Sequence, residues 1–168
     1  MPQHDLHIRR LGVADAAIYR DLRLEGLLTH PQAFTAAHEI ESRKPLSFFE
    51  ERVASSHVIG GSLGGRPVAG IMGLHIPPSP RTGHIGDIWG VYLQDVARGT
   101  GLASAMLNTL VEEARGKVEA VTLGVGAYNI PAQRAYLKAG FLPVAFMPRV
   151  VRVGETYYDE ILMRLELR

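Results

Sequence analysis

The sequence predicts an α/β or α+β fold in which helices flank a mixed sheet. Strand-like segments run through the whole chain and helix-like segments are embedded among them, an order typical of layered domains. The length of 168 residues suits one domain spanning residues 1–168. Hydrophobic residues make up 46% and charged residues 21%, which is the balance of a folded domain.

Seven segments are predicted to be strands, because each alternates apolar and polar residues or is rich in β-branched and aromatic residues. In chain order they span residues 6–10, 57–63, 67–76, 84–93, 119–125, 141–153 and 156–165. The pair Gly64-Gly65 predicts a two-residue hairpin turn, and Gly154-Glu155 predicts an antiparallel connection before the last strand. The proline-rich residues 77–80 cannot continue a sheet and predict a loop.

Four segments are predicted to be helices from apolar residues at helical spacing. They span residues 14–28, 48–54, 101–115 and 129–139. Asp15 lies in the first turn of the first helix, where the helix dipole favours a negative charge. Ser47 and Glu50 predict a capping box for the second helix, and Gly140 closes the last one. Residues 31–44 have mixed character and predict a lid or a further short helix.

Charge, hydropathy and cysteine content exclude several classes of function. The 18 basic and 17 acidic residues leave a net charge of +1, which argues against a nucleic-acid partner. No apolar run approaches the ~20 residues that cross a bilayer, so we expect no membrane partner. The N-terminus lacks the charged and apolar regions of an export signal, and cysteine is absent, so we expect a cytoplasmic location. His4-x-x-His7 has metal-ligand spacing but no third ligand, so we expect no metal site.

A glycine-containing turn between a predicted strand and the strongest predicted helix is the sharpest local feature. It reads Arg98-Gly99-Thr100-Gly101-Leu102-Ala103. Free N–H groups at a helix start form a natural phosphate site, and glycine lets the main chain approach a ligand closely. A P-loop is excluded because Leu102-Ala103 stand where that motif needs Lys-Ser/Thr. The dinucleotide-binding motif matches only in part, because Ser104 stands at the position of its third small residue. A turn without a ligand remains the alternative.

Two blocks of residues together form a more specific pattern. The first is Arg98-x-x-Gly101-x-Ala103, preceded by residues 89–93. The second consists of Asn129, Ala132, Tyr136, Gly140 and Phe141. The first block resembles the pyrophosphate-binding motif of the GCN5-related N-acetyltransferases, and the second is similar to the helix that follows it in that family. The resemblance covers about residues 84–165, and the earlier part of the chain in element order only.

The resemblance implies a mostly antiparallel sheet that splays between its fourth and fifth strands to admit the pantetheine arm of acetyl-CoA. It implies an enzyme that moves an acetyl group from acetyl-CoA to a primary amine by direct attack in a ternary complex. The residues it assigns to cofactor binding are Val91, Tyr92, Leu93, Arg98, Gly99, Thr100, Gly101, Leu102, Ala103, Asn129, Ala132 and Tyr136. Main-chain groups of Val91 and Leu93 would bind the arm, and amides of residues 99–103 the diphosphate.

Tyr136 is the predicted general acid. It lies seven residues after Asn129 and therefore on the same helix face, which the resemblance places toward the cofactor sulfur. A phenol with a pKa of about 10 can protonate a departing thiolate whose reference pKa is about 8.5. The alternative is a tyrosine that serves only core packing.

Asp87 is the predicted general base. Many relatives in the family carry a glutamate on the fourth strand, and Asp87 is the nearest carboxylate to the glycine that replaces it here. His84, Asp159 and Glu160 remain alternatives. Because neighbouring strand residues point to opposite faces, at most one of Asp159 and Glu160 reaches the site.

The acceptor is predicted to be a small-molecule amine, or the N-terminus or a lysine of a protein, and a homodimer is compatible with the resemblance. The alternative function is a non-catalytic CoA-binding regulatory module on the same fold, motivated by the missing glutamate. A nucleotide-dependent oxidoreductase is a third class, disfavoured because little chain remains after the glycine turn.

Overall fold

The computed structural model describes residues 5–168 and joins their strands into one seven-stranded sheet. The strands are β1 Leu6–Arg10, β2 His57–Leu63, β3 Gly70–His75, β4 Ile85–Leu93, β5 Ala120–Gly126, β6 Leu142–Val153 and β7 Thr156–Glu166. Their order in the sheet is β1-β2-β3-β4-β5-β7-β6, and β4–β5 is the parallel pair among antiparallel ones. The predicted mixed, mostly antiparallel sheet is confirmed.

Helices cover both faces of the sheet. They are α1 Ala16–Thr29, α2 His38–Glu41, α3 Leu46–Ser55, α4 Leu102–Ala114 and α5 Ile130–Lys138. The mixed segment 31–44 contains a 3-10 turn and the one-turn helix α2. Asp15 lies in a 3-10 turn just before α1, where its carboxylate accepts the Gly12 N–H at 2.9 Å.

Two local predictions are wrong. Helix α3 begins at Leu46 behind Pro45, whose ring fixes φ at −67° in an extended entry, so Ser47 lies inside the first turn. The turn between β2 and β3 is longer than two residues, and their register ends at the pair Gly61–Gly70. Pro67 has no N–H to donate to a ladder, so pairing resumes only near Ala69, whose N–H donates to the Gly61 carbonyl at 2.8 Å.

Two apolar layers enclose the sheet. One packs α4 against the sheet through side chains that are almost fully buried, among them Leu102, Met106, Leu107 and Leu110. The other packs α1 and α3 against the opposite face through Tyr19, Leu22, Phe49 and Val53. None of the described helices is long and apolar enough to span a membrane.

Strands β4 and β5 pair over four residues and then diverge. Residues 85–88 register with residues 120–123, beyond which β4 continues to Leu93 and β5 to Gly126 without pairing to each other. On its other side β4 bulges, because its register with β3 shifts between Ile71 and Gly73 and Gly90 adopts a φ of 62°. The predicted splay between the fourth and fifth strands is confirmed.

Strand β6 forms one edge of the sheet, and its first eight residues are exposed. Four large apolar side chains there have about half of their surface in solvent: Leu142, Val144, Phe146 and Met147. Since side chains alternate along a strand, both faces of this edge are apolar. The opposite edge, β1, instead exposes His7, Arg9 and Arg10.

Candidate active site

A cavity of about 730 Å³ occupies the gap where β4 and β5 diverge. This size suits a small-molecule ligand. Residues from β4, the glycine turn, α4 and α5 surround it, so the fold brings the two sequence blocks together. The predicted site residues that line the cavity are Val91, Tyr92, Leu93, Arg98, Gly99, Gly101, Ala103, Asn129, Ala132 and Tyr136.

The glycine turn presents a cradle of backbone N–H groups at the start of α4. Gly99 and Gly101 have φ values of 72° and 88°, a left-handed conformation that favours glycine. A Cβ at either position would meet no atom within 4 Å, so the space above the turn is open. Within residues 5–168, no backbone carbonyl accepts the N–H groups of Gly99, Gly101, Ala103 or Ser104. With the positive end of the α4 dipole, these groups suit a phosphate-like anion.

Thr100 and Leu102 lie behind this turn and do not line the cavity. The Thr100 hydroxyl donates to the Ala97 carbonyl at 2.6 Å and accepts the Leu102 N–H at 3.3 Å. The Leu102 side chain is fully buried in the core. In the structure, these two predicted binding residues therefore stabilise the turn from behind.

Arg98 lines the cavity beside the cradle. Its Nε donates to the Leu93 carbonyl at 3.3 Å and lies 3.4 Å from Asp95 Oδ1. A permanent positive charge thus stands next to free N–H groups, which strengthens the attraction for an anion.

Two side chains fix the start of helix α5: one caps the helix, and the other joins it to the end of β5. Asn129 caps the helix, and its Oδ1 accepts the Ala132 N–H at 3.2 Å, as the sequence predicts. Gln133 was not predicted: its amide donates to the carbonyls of Gly126 at 3.1 Å and Ala127 at 3.0 Å. A polar residue one turn after the cap was the available signal. These bonds set how α5 faces the cavity.

Tyr136 is half-buried on the cavity side of α5. Its ring lies 6.1 Å from the ring of the fully buried Phe141, centroid to centroid, and this contact limits its movement. Burial raises the pKa of Tyr136 to about 12. The phenol therefore keeps its proton at neutral pH and faces the cavity as a hydrogen-bond donor.

Two carboxylates share one face of the sheet near the cavity. Asp87 does not line it; its carboxylate accepts a hydrogen bond from Thr122 Oγ1 at 3.3 Å. Burial raises the pKa of Asp87, and the Thr122 bond offsets part of that rise. Glu160 lies against Gly124, a cavity residue, and burial together with the charge of Asp87 raises the pKa of Glu160.

Asp159 points away from this pair. Its carboxylate accepts the Arg149 N–H at 2.8 Å in the β6–β7 hairpin. Of the two adjacent acids on β7, Glu160 is thus the one near the cavity, as strand alternation requires.

For several cavity residues the sequence predicts no role in the site. They are His30, Phe34, Ser104 and Tyr128. Phe34 also lines a second, smaller cavity of about 280 Å³ between residues 31–39 and the β6–β7 hairpin. The mixed segment 31–44 therefore contributes to the walls of both cavities. Its residues approach the hairpin only in the folded chain, so no local sequence signal marked them.

Metal binding finds no support in the described part of the chain. His4 of the His4-x-x-His7 pair lies outside the described residues, and His7 contacts Asp5 at 3.0 Å. Across residues 5–168 no group of three or more His, Cys, Asp or Glu side chains is arranged to hold a metal ion.

Comparison with protein families gives one match. The model of the acetyltransferase (GNAT) family matches residues 16–141, which include both halves of the cavity. A comparison with curated proteins finds no match.

Solved structures share the fold at low sequence identity. A GNAT-family acetyltransferase from Streptococcus pneumoniae aligns with a TM-score of 0.83 and 24% identity, covering 98% of this chain and 100% of that one. The structure of yncA from Salmonella typhimurium, with its cofactor acetyl-CoA, aligns at 0.78 and 22% identity, covering 97% and 94%. Arabidopsis thaliana NAA60, in complex with a bisubstrate analogue, aligns at 0.75 and 18% identity, covering 96% and 97%.

Proposed function

Because the chain belongs to the acetyltransferase (GNAT) family, we propose that it transfers an acetyl group from acetyl-CoA to a primary amine. The observation that carries the proposal is the cavity between β4 and β5, which runs from the N–H cradle to the Tyr136 side chain. A ligand with an anionic group at one end and a reactive group at the other fits this arrangement. Acetyl-CoA is such a molecule, with a diphosphate and a thioester.

The cradle would hold the diphosphate of acetyl-CoA. Gly99, Gly101, Ala103 and Ser104 supply N–H groups, and Arg98 supplies a charge. The unpaired stretch of β4 around Val91 and Leu93 would bind the pantetheine arm, since its backbone groups on the β5 side lack a neighbouring strand.

Tyr136 would assist departure of the thiolate. Acetyl-CoA supplies an activated acyl group; the amine attacks its carbonyl carbon, a C–N bond forms and the C–S bond breaks. The Tyr136 hydroxyl is protonated, as an acid must be, but its pKa of about 12 makes it a weak one. We therefore infer that it first stabilises the departing sulfur through a hydrogen bond and then donates its proton.

The attacking amine must lose a proton, and Asp87 and Glu160 are the candidate acceptors. Asp87 is the base expected from the sequence, whereas Glu160 has the closer contact with the cavity wall at Gly124. Because the charge of Asp87 raises the pKa of Glu160, we propose that the two carboxylates act as a coupled pair.

Both substrates would be bound together. The smaller cavity beside Phe34 adjoins the larger one and would receive part of the acceptor, a small-molecule amine or the N-terminus or lysine of a protein. The bisubstrate analogue bound by the Arabidopsis neighbour supports such a ternary complex on this fold. We also propose a cytoplasmic location, which suits a chain without cysteine.

We also propose a homodimer through β6. The exposed apolar side chains lie on both faces of this edge, so a partner has to cover both, and a second copy of the same edge does so symmetrically. An uncovered apolar edge would otherwise favour aggregation.

A non-catalytic CoA-binding module is the second candidate. One observation favours it: neither Asp87 nor Glu160 lines the main cavity. Such a module would bind CoA and show no acetyl transfer to any amine.

Replacement of Tyr136 by Phe tests the catalytic proposal. We expect Tyr136→Phe to bind CoA as the wild type does in calorimetry and to lose turnover by about 10²-fold or more, measured as thiol release with a panel of amines. Tyr157→Phe is the matched control, since Tyr157 lies on the β6–β7 hairpin under Arg149, outside the cavity. An unchanged kcat in Tyr136→Phe would remove Tyr136 from the mechanism, and CoA binding without turnover in the wild type would favour the second candidate.

A further inference from the structure

Protein contacts on three sides restrain the Arg98 side chain. Its Nε contacts Leu93 and Asp95, as described above, and its Nη2 lies 3.1 Å from Nε2 of His30. About half of the side chain is exposed, with a relative exposure of 48%. These contacts therefore decide where the guanidinium stays.

The hydrogen-bond chain around His30 assigns its tautomer. A guanidinium only donates, so Nε2 of His30 must accept from Arg98, and the ring hydrogen is on Nδ1. That Nδ1–H donates to Thr29 Oγ1 at 2.8 Å, and the Thr29 hydroxyl donates to the Glu25 carbonyl at 2.7 Å. His30 is thus held as a neutral acceptor.

The end of α1 that carries this chain is fixed to β4. The Glu25 carboxylate accepts from the Tyr92 hydroxyl at 2.7 Å and from the Gln94 amide at 2.9 Å. Gly26 packs so closely that a Cβ there would lie 2.8 Å from the Tyr92 ring. His30 therefore keeps a set position relative to the strand that leads into the glycine turn.

We propose that His30 is a positioning residue for the substrate diphosphate: it accepts a hydrogen bond from Arg98 and holds the guanidinium beside the N–H cradle. The inference rests on the proposed function. A neutral acceptor suits this task, because it orients the guanidinium and leaves its positive charge for the anion, whereas a carboxylate in its place would neutralise that charge. Both side chains line the same cavity.

The test compares His30→Leu with His30→Gln, whose Oε1 can still accept from Arg98. We expect the leucine variant to raise the Kd for CoA about tenfold, because it loses one hydrogen bond to a charged group. The kcat at saturating acetyl-CoA should not change. The glutamine variant should retain most of the affinity. S-acetylpantetheine has no diphosphate, so its kcat/KM should be the same for both variants and the wild type.

A double-variant cycle separates this inference from the proposed function. Arg98→Ala should weaken CoA binding, and adding His30→Leu to it should weaken binding no further, because His30 acts through Arg98. If His30→Leu binds CoA as tightly as the wild type while Arg98→Ala binds weakly, the positioning role is overturned and the diphosphate site stands. The positioning role would also be overturned if His30→Leu lowered kcat/KM with S-acetylpantetheine as much as it lowers the affinity for CoA. If Arg98→Ala leaves CoA affinity unchanged, the diphosphate site itself is wrong.

Discussion

Asp87 and Glu160 are carboxylates that the fold keeps partly out of water and close enough to interact. Burial disfavours the charge on each, and mutual repulsion adds to the effect on Glu160. A group with a raised carboxyl pKa takes up protons more readily in the folded than in the unfolded chain. Its contribution to stability therefore falls as the pH rises through the interval between the ordinary and the raised pKa.

Replacement of Asp87 by Asn should separate the two acids. If Asp87 is the base, kcat/KM falls; if Glu160 is the base, activity persists and the acid limb of the pH profile moves to lower pH, because the charge that raises the pKa of Glu160 is gone. The same variant should raise the Tm at neutral pH and leave it unchanged below the ordinary carboxyl range.

Asp21→Asn provides the control for that experiment, since Asp21 is an exposed acid on α1. An Asp87→Asn variant with unaltered kcat/KM and an unaltered pH profile would remove both carboxylates from consideration and point to a water-mediated proton transfer.

The sequence-based predictions agree best with the structure for residues whose partners are close to them along the chain. The Asn129 cap and the glycines of the turn are recognisable because their roles are local. The role of His30 could not be found in this way, and Glu160 was only one of several candidate bases, since their partners Arg98 and Asp87 lie about 70 residues away. Only the folded sheet brings these groups together.

At the level of elements, one carboxylate joins three helices. Glu41 of α2 accepts hydrogen bonds from Arg23 of α1 at 3.0 and 3.1 Å and from Arg52 of α3 at 3.2 and 3.3 Å. Burial alone would raise the pKa of Glu41, but the two guanidinium groups hold this pKa below its usual value. Helix α2 has only four residues, so its position depends on this network.

Glu41→Gln should destabilise the protein by about 3 kcal/mol, because it leaves two guanidinium groups without their counter-charge. Urea unfolding measures the loss. Glu39→Gln, an exposed acid two residues earlier on the same helix, should change the free energy of unfolding little.

The loss in the Glu41 variant should also depend on pH. A carboxyl group whose pKa is lowered by folding stabilises the folded chain at any pH above its pKa in the unfolded chain. This contribution is lost as the pH falls through the pKa in the folded chain. The difference between Glu41→Gln and the wild type should therefore shrink in acid. A difference that is small at neutral pH would contradict the role of Glu41.

Prediction of elements from the sequence succeeds where hydrophobic periodicity is strong, as in α4 and in β5. It fails at the start of α3 and in the β2–β3 turn, because prolines there outweigh the capping and glycine signals. The sheet order and the gap between β4 and β5 follow from long-range pairing. The family resemblance anticipated the gap, and no strand order was predicted.

At the scale of the whole molecule, the two sheet edges differ in character. The β1 edge exposes charged side chains, whereas the β6 edge exposes apolar ones on both faces. Charged edges resist association and apolar ones favour it, so we expect any self-association to use β6.

Phe146→Glu should convert the expected dimer to a monomer, because it introduces a charge at the centre of the β6 patch. Light scattering after size-exclusion chromatography measures the mass. Val13→Glu is the control, since Val13 is similarly exposed, at 52% against 61%, but precedes α1. A wild-type protein that runs as a monomer, or a dimer that survives Phe146→Glu, would refute an interface at β6.

The short contact between β4 and β5 has a consequence for the lifetime of the protein. Within residues 5–168, β4 and β5 pair over only four residues each, next to a bond from the Glu119 N–H to the His84 carbonyl at 2.7 Å, and the cavity occupies the seam beyond. A molecule that fills this seam and binds only the native chain contacts both halves of the sheet. It adds RT ln(1 + [L]/Kd) to the free energy of unfolding of the protein. The supply of thioester would then set how long each copy resists unfolding and degradation, as well as how fast it works.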